Sequence, residues 1–145
     1  FEEYLDDIFV ISHYNQVKMV YLFVIDDDYI VYVGNYPSSD TKIAILPEKL
    51  REFYMHIHNG WFESISGGLG LLPIEKIQFL DESEWGLPQE ILQSVELSKT
   101  YYVFHNGGGG FLCINTENAA NPKSLVWWIN NPRRNGGCYD FLREG

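Results

Sequence analysis

Three histidines fall at turns or helix ends, His56, His58 and His105, and imidazole is the commonest protein ligand for a transition metal. Their spacing does not assemble a site. On a helix, positions 56 and 58 project roughly 200° apart, so both cannot reach one ion while both stay helical. No cysteine or HExxH pattern completes a ligand set, and histidines that close a helix and a turn are the simpler reading. Cys113 lies amid Phe111, Leu112 and Ile114, where a thiol is expected to be buried and unreactive. No serine occupies a GxSxG elbow. Gly107 to Gly110 would let a phosphate approach the backbone, but a phosphate loop needs a helix behind it, and a β-rich run follows here. Asp26-Asp27-Asp28 lacks the ligand spacing and glycine of a calcium loop and reads as a solvated turn. No catalytic residue, metal or cofactor is therefore expected.

What remains is the chemistry of recognition. Trp61, Trp85, Trp127 and Trp128 are interspersed with Glu63, Asp81, Glu82 and Glu84, and aromatics ringed by charge are how protein-binding surfaces are built. These eight are the candidate partner-binding residues. In a domain of this size most tryptophans are core, so one or two of the four are expected to serve. Trp127 and Trp128 must point to opposite faces of a strand, leaving one of them semi-exposed.

The element that must position much of this is Leu46 to Trp61. Pro47 suits the first helical position, and Leu50, Phe53, Tyr54 and Ile57 recur at the spacing of one buried face, with Lys49, Arg51, Glu52 and His56 outside it. Asn59-Gly60 supplies the left-handed backbone that ends such a helix, and a protonated His58 in its last turn would favour the negative end of the dipole. Upstream, Phe1 to Gln16 carries apolar residues at helical spacing and predicts an N-terminal helix. Val17 to Ile25 and Tyr29 to Val33 predict a hairpin with an acidic tip, and Thr41 to Leu46 predicts a short strand. Downstream, Tyr101 to Phe104 and Phe111 to Asn115 form a hairpin around the glycine loop, followed by a strand over Leu125 to Asn130.

The order and spacing of Leu46-Pro47, Leu50-Arg51, Phe53-Tyr54, Asn59-Gly60-Trp61 and then Gly70-Leu71-Leu72-Pro73 resemble the SUKH superfamily of bacterial toxin-immunity proteins and fungal cell-wall regulators. Leu125-Val126-Trp127-Trp128 resembles its late strand, and Phe141-Leu142 the start of its last helix. The resemblance implies an α+β fold, a mostly antiparallel sheet packed on one face by helices, in a single domain over 1–145. Its family-like core would be 46–142, preceded by an N-terminal helix and hairpin over 1–45. It also implies a non-catalytic immunity protein that neutralises a cognate toxin of a polymorphic or contact-dependent system, often a nuclease. The rivals are a regulatory scaffold without a toxin and a small metal-dependent hydrolase using His56 or His58 with His105.

Composition agrees with binding rather than with nucleic-acid contact. Among 145 residues, 20 acids face 10 bases for a net charge of −10, which repels phosphates and favours a basic protein partner. Two cysteines, Cys113 and Cys138, are too few for a disulfide framework and suggest a reducing cytoplasm. The longest apolar run, Met19 to Ile25, is too short to span a membrane, and no signal-peptide pattern is present. The first residue is Phe1 rather than Met, so the ends are expected to be either trimmed or disordered.

Overall fold

A computed structural model describes residues 2–64, 69–128 and, as backbone, 137–140. The chain is α+β, its strands antiparallel, and it divides into two compact units, Phe1–Lys76 and Ile77–Gly145.

In the first unit, β1 (Leu5–His13), β2 (Gln16–Ile25), β3 (Asp28–Asn35), β4 (Trp61–Glu63) and β5 (Gly70–Leu71) pair in sequence order. Tyr14 and Asn15 turn between β1 and β2, Asp26 and Asp27 between β2 and β3, all four at positive φ. Two-residue turns of this hand match the right-handed twist of the strands they join, and aspartate and asparagine tolerate them best. The acidic-tip hairpin is thus as the sequence predicts. The N-terminal helix is not. Only Glu2–Tyr4 makes a 3-10 turn, and then β1 begins. Ile8-Phe9-Val10-Ile11 is a β-branched and aromatic run, and the turn at Tyr14-Asn15 folds it back on β2, so strand pairing overrides a helical period that was carried by few residues. Thr41–Ile45 is likewise a 3-10 helix rather than a strand, because the Asp40 carboxylate accepts the Lys42 N–H at 2.8 Å and caps it.

Helix α1 covers Glu48–His56. Pro47 stands at the N-cap rather than inside the helix, and its carbonyl accepts the Arg51 N–H. The buried face is narrower than its periodicity suggests: Tyr54 is fully buried, Leu50 and Phe53 half-buried, and Ile57 is 53% exposed. Glu52 and His56 are exposed as expected, while Arg51 is half-buried. Tyr54 donates its hydroxyl to the Leu72 carbonyl and its own carbonyl accepts from Ser38. The helix is pinned at that point from two sides.

In the second unit, β6 (Gln78–Phe79), β7 (Thr100–His105), β8 (Gly110–Asn115), β9 (Lys123–Trp128) and β10 (Gly137–Asp140) pair in that order, with the four-residue α2 (Gln89–Leu92) between β6 and β7. The Asn106 carboxamide accepts the N–H groups of Gly108 and Gly110, which orders the glycine loop of the expected hairpin. Leu80, Cys113, Leu125 and Trp127 form the core, and Trp85, Ile91, Leu97 and Phe111 pack on it. Cys113 is fully buried, as anticipated. The terminal helix expected at Phe141-Leu142 lies outside the described residues.

Candidate partner-binding site

The turn after α1 builds the site. Ile57 is the C-cap, so the helical period lapses there: Ile57 swings outward and His58 takes the inward position, 6% exposed. Gly34 makes room for it. A Cβ on Gly34 would lie 2.4 Å from His58 Cγ, so only glycine lets the ring lie flat on β3. His58 Nδ1 lies 3.2 Å from the Asn35 carbonyl and Nε2 lies 2.6 Å from the Tyr21 hydroxyl. A carbonyl can only accept, so Nδ1 carries the proton and Nε2 accepts from Tyr21. Burial holds the His58 pKa below its usual value and raises that of Tyr21, which keeps both groups neutral. His58 therefore acts as a buried, hydrogen-bonded strut and does not supply the cation at the helix end that its sequence position suggests.

Asn59 fastens the same turn. Its N–H reaches the Asn35 carbonyl, its carboxamide oxygen accepts from Ile74 N–H and its amide donates to Glu75. Gly60 follows at φ +82°, against the backbone of Leu72 and Pro73, and delivers Trp61 to β4 opposite Gly34. Trp61 stacks on Tyr32 at 4.2 Å and meets the edge of Tyr21 at 6.2 Å.

Between α1 and this aromatic floor lies a cleft of about 300 Å³ walled by Leu5, Tyr21, Phe23, Phe53, Ile57, His58 and Trp61, with Glu2 at its mouth. Its lining is almost wholly apolar. The imidazole and hydroxyl are engaged with each other, so the cleft offers shape and apolar surface rather than reactive groups. A larger, more polar cleft of about 590 Å³ opens near Asn15, Lys18, Asn35 and Asn59, but the Asn35 and Asn59 amides there are already bonded within the fold. Among the described residues, no group of three or more His, Cys, Asp or Glu side chains gathers where a metal could sit. His56 pairs instead with Glu52 at 3.5 Å, and His105 packs on Phe111.

A family model described as SMI1 / KNR4 family (SUKH-1) matches residues 44–142. The chain belongs to that family. Membership supports an immunity-protein or SMI1/KNR4-like domain that works by protein–protein interaction. No curated protein and no solved structure was found to match the chain. No helix among the described residues is long and apolar enough to cross a membrane.

In this SUKH-1 chain the sequence-nominated residues scatter. Trp61 is half-buried and walls the cleft, whereas its neighbour Glu63 is only 8% exposed. Asp81, Glu82 and Glu84 are exposed, and Glu82 accepts the Phe79 N–H. Trp85 is half-buried, donates to the Leu80 carbonyl and packs on Trp127 at 5.9 Å. Trp127 is fully buried and Trp128 half-buried, the opposite-face arrangement that the strand requires. Sequence reasoning missed Tyr21, Phe23, Gly34 and Leu5, all upstream of the recognisable motif. One signal was available: a glycine closing a β-branched run marks close approach by another group, and Gly34 does so.

Proposed function

We propose that this chain is a bacterial immunity protein, a non-catalytic domain that binds and neutralises a cognate toxin through the apolar cleft beside α1. The carrying observation is the cleft itself, where Phe53, Ile57 and Trp61 border an open, apolar concavity at the end of α1. Hot-spot residues of protein interfaces are large and aromatic, and they work in pockets that exclude water. A side chain of the toxin, aliphatic or aromatic, would fill the space. Its occupant is proposed to be a protein side chain rather than a metabolite because the lining is almost wholly apolar and its inner polar groups, on Tyr21 and His58, are engaged with each other. The acidic balance suits a basic toxin, such as a nuclease, whose on-rate it would raise. Asp81, Glu82, Glu84, Trp85 and Trp128, all in the second unit, are proposed as partner-contacting residues in their own right. The family match over 44–142 crosses the boundary between the two units, which supports reading them as parts of one SUKH-like domain, and a cytoplasmic place of work is proposed with the immunity role.

Co-expression tests the function. Cells producing the toxin domain encoded beside this protein are expected to survive with it and die without it. If killing is equal in both cases and no complex forms, the regulatory-scaffold reading replaces immunity.

A further inference from the structure

The apolar cleft of the first unit does not end at His58. On the far side, Val10, Val17, Met19 and Pro37 wall a second apolar concavity of about 230 Å³, and Ile57 and His58 border both openings. Ile57, 53% exposed, therefore stands as a post between them. A bulge makes β1 a common wall. Register sets Leu5 opposite Phe23, but Ile8 opposite Tyr21 and Val10 opposite Met19, because an extra residue lies between Leu5 and Asp7. Opposed residues of an antiparallel pair share a face, so without the bulge Leu5 would turn away from Ile8 and Val10. With it, all three line the face that carries Tyr21 and Phe23. On this face Ile8, Val10 and Val17 remain 45, 68 and 46% exposed.

The lining decides what form of chain can lie there. Both openings are almost wholly apolar, and an extended segment laid on such a sheet face would leave its backbone N–H and C=O groups unbonded. A helix satisfies its own. Tyr21 and Phe23 floor the first opening and Val17 and Met19 the second, four positions away along β2, or roughly 13 Å. That is close to the roughly 10.5–12 Å between helical positions i and i+7 or i+8, which share one face. Charge is also uneven along the groove. Glu2 stands at the mouth of the first opening, and Glu3, Asp6 and the Asp26-Asp27-Asp28 turn lie exposed at the same end of the sheet, whereas no carboxylate borders the second.

We propose that both openings take one basic amphipathic helix of the toxin. Two large apolar residues seven or eight positions apart fill them, a small residue passes over Ile57, and basic residues lie toward Glu2. The positive end of the helix dipole, its N-terminus, also lies toward Glu2. This rests on the reading of the cleft as the toxin site, and it adds the form and charge of what the toxin inserts.

The toxin domain encoded beside this protein is the probe. With a photoreactive benzoylphenylalanine in place of Phe53, and separately of Val10, cross-links should map to two toxin residues about seven or eight positions apart in one segment. Links to separate segments, or about four positions apart as an extended chain would give, overturn the proposal. Val10→Asp and Val17→Asp, both at exposed positions, should keep the parent's circular dichroism spectrum and weaken Kd at least about tenfold. Glu2→Lys combined with Glu3→Lys should slow association about tenfold at low salt, and an unchanged rate would overturn the basic character of the helix. If Trp61→Ala weakens binding while the folded Val10→Asp and Val17→Asp variants bind as the parent does, the toxin uses the cleft and the helix across both openings is wrong. If all three bind as the parent does, the cleft itself is wrong. If no complex forms, the immunity reading beneath both falls.

Discussion

Along β1 every residue after Leu5 is exposed, whereas in β7 and β8 Thr100, Tyr101, Val103 and Cys113 expose no more than 1% of their surface. The units share one architecture, antiparallel strands with a short helix, yet place their apolar residues differently. In the second, Trp127 has Trp85, Phe111, Leu80 and Leu125 around it, and the tryptophans hold the fold together. In the first, Trp61 stacks on Tyr32, Tyr21 meets Trp61 and His58 edge-on, and Phe53 and Ile57 are left at an open cleft. Aromatic residues so similar in sequence therefore divide the work: one set supplies stability and the other supplies surface. That contrast can be broken by substitution.

Trp127→Ala should do the most damage, destabilising by about 3–5 kcal/mol because a large side chain leaves a cavity in packed surroundings. Chemical denaturation measures it. A loss under about 1 kcal/mol would mean that Trp127 is not the centre of the second unit.

Gly34→Ala should cost about 1–3 kcal/mol, since the added methyl displaces the His58 ring and breaks its bond to Tyr21. Phe53→Ala, by contrast, should fall well below the full core penalty, because that ring is half-buried at the cleft. Helical periodicity alone would have ranked Phe53 above Gly34. Thermal melts of the two variants decide the order.

The smallest stability effect is pH-dependent. The folded state holds the His58 pKa below the ordinary value near 6.5, so as pH falls the unfolded chain binds the proton first. Stability is then independent of this group well above pH 6.5 and declines as pH drops below it. His58→Gln should flatten the part of the melting-temperature profile that this group causes. A parent profile that rises on acidification through that range would contradict the neutral, buried ring.

These contrasts also mark what the sequence discloses. The β-branched runs at Val17 to Val33, the hairpin around the glycine loop, and the helix from Glu48 are legible because local propensity and tertiary pairing agree there. Leu5, Ile8 and Phe9 carry a helical spacing, but Ile8 to Ile11 is a β-branched and aromatic run, and pairing with β2 selects the strand. Ile57 and His58 exchanged their expected places because a periodic pattern is meaningful only while the backbone stays helical, and here it stops at His56. The cleft was the least legible feature. Its floor depends on register, Tyr21 opposite Tyr32 and Gly34 opposite Trp61, and register between distant strands is set by turns and packing rather than by composition. Trp61 was nominated by type alone, and the residues that make it useful lie up to 56 positions away, at Leu5.

The central claim is that the toxin binds in the cleft of the first unit. Calorimetric titration of the cognate toxin domain into the parent chain, Ile57→Asp and Trp61→Ala measures it directly. Both positions are partly exposed, so folding should persist, and each variant should lose at least about 2 kcal/mol of binding, close to thirtyfold in Kd. Variants that fold and bind the toxin as tightly as the parent would place the interface elsewhere and contradict the account.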